Sequence, residues 1–298
     1  MVNDHHLEVR HSHSLDPRAQ EPEMEHPEFE EACPQPAHVE RCTGAGSFAR
    51  VLPKIMNSEV ASGHALRRPA VVARWHPGSM SSFTLVHSPL VGPLSWSAVE
   101  VELRKRGHAV QVPSLVSAAT SGRWLACVDA AVGGAARGDD QVLVGHSGAG
   151  PLMPLIAGRM DRPPQRLVFV DAILPPEDGE RSVSGTLLQH LRTIETEGRL
   201  PPWSEWFGPG VMEELIPDDH LRSAVVADMP RLPLSYFEGV IPVPSGWMRT
   251  SCRYVLLSEA YREEAGEATS RGWHVYEHLG SHLDILNRPV EIADSLER

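Results

Sequence analysis

From residue 83 onward, short apolar, β-branched runs alternate with helical stretches of about a dozen residues, and few architectures accept that order. FTLVH (83–87) reads as a strand, and LSWSAVEVELRKRG (94–107) has the apolar spacing of an amphipathic helix that stops at Gly107. Strands at HAVQV (108–112), QVLVGH (141–146) and RLVFV (166–170) follow, separated by helices over about 121–136 and 148–160. After a break come a strand at RYVLL (253–257), a helix at REEAGEATSRG, a strand at WHVYEH (273–278) and a terminal helix after Pro289. Parallel strands covered on both faces are the economical solution, so the expected fold class is α/β, a doubly wound, mostly parallel sheet. The break, residues 175–250, consists of helical pieces punctuated by prolines and is expected to be a helical lid. Ligand sites in such sheets form beyond the carboxyl ends of the strands, where a lid would sit.

Composition changes near residue 80. Upstream, stretches such as QEPEMEHPEFEEACPQPAHVE carry the period of neither helix nor strand, and residues 1–78 are expected to be a disordered extension of a domain spanning 80–298. Met80 opens the first stretch that reads as folded, which makes it a candidate natural start. His5, His6, His11 and His13 lie upstream of it, but no visible scaffold holds them as metal ligands. Cys33, Cys42, Cys127 and Cys252 are irregularly spaced without a CxxC pair, which argues for free thiols rather than a disulfide framework or a zinc site. With 27 basic residues against 39 acidic ones and a net charge of −12, the chain lacks the charge that phosphate neutralisation requires, so no nucleic-acid partner is expected. No signal-peptide core is visible, and nowhere do the roughly 18 apolar residues of a membrane span run together. A cytoplasmic protein follows as the expectation; the oligomeric state is not encoded in any pattern here.

The strand QVLVGH runs straight into Ser147 and then into a helix beginning GAGPLMPLIAG. A serine hydroxyl is a weak nucleophile unless it is exposed and held against a base, and a sharp strand-to-helix turn exposes it. Such a turn needs small residues two positions to either side, and Gly145 and Ala149 supply them. A glycine-rich phosphate cradle would want more glycines before the helix and an acid at the end of the next strand; Asp171 stands there, so other residues must decide. They come from HLGSHLDILNRPVEIADSL, where a small-residue turn carries His282 into a proline-started helix.

Together, Gly145-His146-Ser147-Gly148-Ala149-Gly150 and the His282 turn resemble the nucleophile elbow and base loop of the α/β-hydrolase superfamily, in particular its small esterase-like members. The resemblance covers roughly residues 82–298. It implies Ser147 as nucleophile and His282 as general base, with a carboxylate to orient the imidazole. Two places are used for that acid. After RYVLL the residue aligned with the common aspartate is Tyr261, with Glu259 two positions early; after RLVFV, the place haloalkane dehalogenases use, stands Asp171. Asp171 is favoured over Glu259.

An oxyanion hole is implied between Gly148 and the loop after the first strand, HSPLVGPLSW, which resembles the family's loop in His87, Gly92 and Trp96. It departs from it at Ser88, where glycine is usual, and at Pro89, which has no N–H to give. Leu90 is then the donor after a shift of the loop, or the Ser88 side chain is, or the hole is defective. His87 and His146 are expected to brace loops. Trp203, Trp206, Phe207, Met212, Met229, Tyr236, Phe237 and Trp247 in the lid segment suggest an apolar site. The expected activity is hydrolysis of an apolar carboxylic ester, thioester or lactone through an acyl-enzyme, with no cofactor or metal and a small acyl substrate as partner. The alternatives are hydroxynitrile-lyase-like or other non-hydrolytic carbonyl chemistry, and a non-catalytic binding protein on the same fold.

Overall fold

A computed structural model describes residues 80–298. The expectations for residues 1–78 lie outside the described residues, as do Cys33 and Cys42. Six strands form one sheet in the order β2-β1-β3-β4-β7-β8, every neighbouring pair parallel. They are β1 (Ser82–Val86), β2 (Ala109–Gln111), β3 (Gln141–His146), β4 (Arg166–Val170), β7 (Ser251–Leu256) and β8 (His274–Glu277). A separate antiparallel ribbon pairs β5 (Gly179–Arg181) with β6 (Ile241–Val243).

The helices, in chain order, are α1 (Ser97–Lys105), α2 (Val116–Thr120), α3 (Trp124–Gly133), α4 (Met153–Arg159), α5 (Gly185–Ile194), α6 (Val211–Leu215), α7 (Asp219–Ala227), α8 (Ser235–Glu238), α9 (Arg262–Ser270), α10 (Asp284–Asn287) and α11 (Pro289–Glu297). The four from α5 to α8, with the ribbon, make up the insertion between β4 and β7. No helix among the described residues is long and apolar enough to cross a membrane.

All residues of β1 and β3 are buried, as the unbroken apolar runs of two-face-covered parallel strands require. The α1 helix buries Val99 and Leu103 and ends where it should: Gly107, at φ +93, takes the left-handed position, and His108 N–H bonds the Leu103 carbonyl at 3.1 Å. The last helix is tied to the first by Arg106, which donates to Glu102 at 2.8 Å, Asp294 at 2.6 Å and Glu297 at 2.7 Å.

Two expectations need correction. The helix expected over 121–136 is the shorter α3, Trp124–Gly133, and a separate helix that was not expected, α2, precedes it, the two parted at Gly122 with φ +75. The helical reading of residues 175–250 missed the β5/β6 ribbon.

The strand order fixes where a site can form. From β1 the chain crosses outward to β2 and then back past β1 to β3, so the loops leaving β1 and β3 diverge and open a crevice at their carboxyl ends. Both Ser88-Pro89 and Ser147 sit on those loops.

Candidate functional site

Ser147 follows the last residue of β3 at φ 55, in the left-handed region that a serine enters only at a cost of order 1–2 kcal/mol. The surroundings hold it there. A Cβ on Gly150 would lie 1.9 Å from the backbone oxygen of Ile173, and one on Gly145 would lie 2.5 Å from the Met153 sulfur. The turn therefore packs directly on the segment after β4, and Ile173 N–H bonds the Ser147 carbonyl at 3.2 Å. Ala149 is fully buried, as its place in the elbow demands.

Asp171, one residue past β4, is also left-handed, at φ 41. Strain at two neighbouring strand ends is the pattern of a functional site. The carboxylate, with no exposed surface, is saturated with donors. Its Oδ1 accepts Leu257 N–H at 2.8 Å and Ser258 N–H at 3.1 Å; its Oδ2 accepts the Ser258 hydroxyl at 2.6 Å and His282 Nδ1 at 2.8 Å. The phenol of Tyr254, from β7, braces the next residue by accepting Ala172 N–H and donating to Ala172 C=O, each at 3.0 Å. Because a carboxylate only accepts, Nδ1 of His282 carries the hydrogen, which leaves Nε2 as the position for the lone pair when the ring acts as a base.

Glu259 is not part of this arrangement. Its side chain is half exposed and pairs with Arg262 at 2.8 Å, which also pairs with Glu277, so it belongs to a surface ion-pair cluster. The register of the loop explains it: Leu257 and Ser258 turn inward to Asp171, and Glu259 then opens a short helical turn facing outward.

Tyr261 is the residue whose role sequence reasoning did not assign. Its ring stacks on His282, with centroids 4.9 Å apart and planes 5° apart, and its hydroxyl is hydrogen-bonded to Ser147 Oγ at 3.3 Å. Burial pushes the phenol well above its ordinary pKa, so it stays neutral. Ser147, Tyr261, His282 and Asp171 thus form one chain of contacts in which the serine hydroxyl rests on the phenol. Tyr261 was visible in the sequence as the occupant of the commoner acid position; Ser258 gave no signal.

The two neighbouring histidines are braces. His87 donates from Nδ1 to the Ser88 carbonyl at 2.8 Å and accepts Leu115 N–H at Nε2 at 2.9 Å; burial lowers its pKa to about 4, keeping it neutral. Burial also holds the pKa of His146 well below the usual value, and its Nε2 donates to the His282 carbonyl at 3.0 Å.

On the far side of Ser147, the β1 loop approaches Gly148. Ser88, Pro89, Leu90 and Gly148 line a cavity of about 60 Å³ that is otherwise mostly apolar, closed from the insertion by Arg181, Val183, Tyr236, Phe237 and Ile241. Of the insertion's large apolar side chains, Tyr236 and Phe237 reach this cavity, and the Trp203 ring lies 6.2 Å from that of His282. Trp247 instead packs on Phe169 and Trp273. Gly148 lies in the first turn of a short 3-10 helix, where an N–H has no partner within the helix. The Leu90 N–H points to the Ser88 hydroxyl oxygen at 3.4 Å. No group of His, Cys, Asp and Glu among the described residues could hold a metal ion, and Cys127 and Cys252 are buried free thiols.

No protein-family model matches the chain, and no curated protein matches it in sequence. Solved structures do match. An extracellular α/β-hydrolase from a Paenibacillus species, described as sharing structural and functional homology with tobacco salicylic acid binding protein 2, superposes with a TM-score of 0.57 at 18% identity, over 72% of this chain and 96% of that one. Polyneuridine aldehyde esterase gives 0.55 at 14% identity, over 73% and 98%. Tomato methylketone synthase I complexed with 2-tridecanone gives 0.56 at 13% identity, over 73% and 96%. At such identities the likeness speaks for the fold, and it agrees with the strand order and the position of the elbow: this chain has the α/β-hydrolase fold.

Proposed function

We propose that the chain is a serine hydrolase of small apolar carboxylic esters, thioesters or lactones. The observation that carries this reading is the His282 imidazole, fixed by Asp171 in the tautomer with a free Nε2 and linked through Tyr261 to a serine on a strained turn. In the proposed cycle the Ser147 hydroxyl rotates from Tyr261 toward Nε2, which takes its proton as the oxygen attacks the acyl carbon. The negative oxygen of the tetrahedral intermediate forms beside Gly148 and Leu90. Collapse expels the alcohol or thiol, which receives the proton from His282. Water, activated by the same Nε2, then frees the acid and restores Ser147. Asp171 stays ionised and stabilises the imidazolium.

The apolar cavity beside Gly148 is where the acyl group would lie, and the insertion that closes it acts as a lid. Its size favours short chains. Labelling with a fluorophosphonate, followed by mass spectrometry and by turnover of p-nitrophenyl acetate, butyrate and longer esters, tests this. Covalent modification at Ser147 and a rate optimum at short acyl length are expected; an unlabelled Ser147 with no ester turned over would refute it.

A second reading rests on the same hydrogen bond. Because the serine hydroxyl is held by Tyr261, His282 is left to act as a general base on a bound carbonyl compound without an acyl-enzyme. Turnover of a β-keto acid or cyanohydrin by a Ser147→Ala variant would favour it over hydrolysis.

A further inference from the structure

We infer that the Ser88 hydroxyl is the second oxyanion donor, replacing the backbone N–H that Pro89 lacks, with Leu90 acting through it. The inference rests on the hydrolase reading of the same site.

Acyl transfer through Ser147 develops negative charge on the former carbonyl oxygen, next to Gly148, and needs donors fixed there beforehand. Gly148 has its N–H. Across the crevice, Pro89 has none. The Leu90 N–H that follows is already committed: it donates to Ser88 Oγ at 3.4 Å.

That commitment changes what Ser88 offers. A hydroxyl has one hydrogen and two lone pairs, and Leu90 uses a lone pair. Among the described residues no acceptor takes the hydrogen, although the side chain is 2% exposed. Ser88 lines the same cavity as Gly148, and a Cβ on Gly148 would lie 3.0 Å from Ser88 Oγ, so the hydroxyl stands directly against the residue whose N–H is the first donor. It is also held firmly. The Ser88 carbonyl accepts both His87 Nδ1 at 2.8 Å and Val91 N–H at 3.0 Å, and His87 is fixed in turn by Leu115 N–H. The result is a relay in which Leu90 N–H polarises the Ser88 hydroxyl and the hydroxyl donates to the oxyanion. The proton stays on Ser88 throughout; only the hydrogen bond strengthens as charge develops.

Ser88→Ala deletes the donor and, with it, the acceptor of the Leu90 N–H. Assayed on p-nitrophenyl butyrate, it is expected to lower kcat by about a hundredfold or more, the usual loss for one oxyanion donor, with KM within about threefold. Inhibition by an alkyl trifluoromethyl ketone, whose adduct with Ser147 carries the same negative oxygen, should weaken in parallel with kcat, a readout that a purely structural role would not track. Ser88→Cys, which keeps a weaker donor in place, should fall between the two and serves if the alanine variant does not fold. Retention of kcat within about threefold in Ser88→Ala, or a trifluoromethyl ketone affinity that does not move with kcat, would overturn the assignment. If the unmodified protein itself neither takes the fluorophosphonate nor turns over any ester, the hydrolase reading fails first, and that outcome is distinct from an active enzyme indifferent to Ser88.

Discussion

The two sides of Ser147 are built to different standards of redundancy. On the acid side, Asp171 accepts four hydrogen bonds, three of them from Leu257 and Ser258, and Tyr254 pins the residue that follows. On the other side, Pro89 removes a backbone donor and leaves a single serine hydroxyl whose hydrogen has no acceptor among the described residues. The difference teaches how each departure from the common pattern is absorbed. The carboxylate stands after β4, and the loop after β7, where a carboxylate is commoner, supplies the donors that orient it. Near Gly148 the hydroxyl proposed to compensate belongs to the same loop as Pro89.

The sharpest way to break the comparison is to remove the carboxylate charge. Asp171→Asn is expected to lower kcat about ten-thousand-fold, because an amide in its place no longer stabilises the imidazolium or enforces the tautomer. Glu259→Gln should stay within about twofold of the parent, since it disturbs only an exposed ion pair. Steady-state kinetics on one ester decides both; the opposite ranking would move the acid to Glu259.

Acid titration probes the other side. His87 has a folded pKa of about 4 against 6.5 for the ordinary imidazole, so the unfolded chain binds more protons between those values. Its contribution is complete above pH 6.5 and is lost as pH falls through about 4. The difference corresponds to at most roughly 3–4 kcal/mol. Protonation would cost the bond from Leu115 N–H, loosening the loop that holds Ser88. His87→Gln can keep both bonds without titrating. Its melting temperature should fall less steeply than that of the parent between pH 6.5 and 4, with His146, which is also neutral by burial, and Asp228, whose charge acts on His87, present in both.

How far the site was legible depends on whether its signals are local. The bounds of β3 and β4 could be read from residues 141–146 and 166–170, because strands buried on both faces become unbroken apolar runs closed by polar or small residues. The positions of Ser147, Asp171 and His282 could be read in the same way, since each sits at a strand end or a marked turn, and their catalytic roles belong to the proposal. The β5/β6 ribbon was not legible: GER and IPV are three residues each, separated by four helices, with no hairpin turn to announce their pairing. Nor was the service Ser258 performs for Asp171, because its partner is 87 residues away.

Two smaller effects sharpen the comparison. Ser258→Ala removes the 2.6 Å bond to Asp171 while three others remain, and a hydrogen bond to a charge is worth about 1.5–3 kcal/mol. Redundancy on the acid side should hold the loss in kcat to about the tenfold bottom of that range, well short of Ser88→Ala. Tyr261→Phe keeps the stacked ring but frees the serine hydroxyl, and fluorophosphonate labelling of Ser147 should quicken by up to about tenfold, the worth of one neutral hydrogen bond. A slower rate would make the phenol a participant in the reaction and not a resting partner.

The grip of Tyr254 on both backbone groups of Ala172 has a consequence for how such a molecule diversifies. The acid is set from within the sheet, by β4 and β7, and none of its hydrogen-bond partners comes from the insertion that closes the cavity. In the proposed hydrolase, exchanging that cover is therefore expected to change which molecules enter while the hydrogen bond between Asp171 and His282 stays in place.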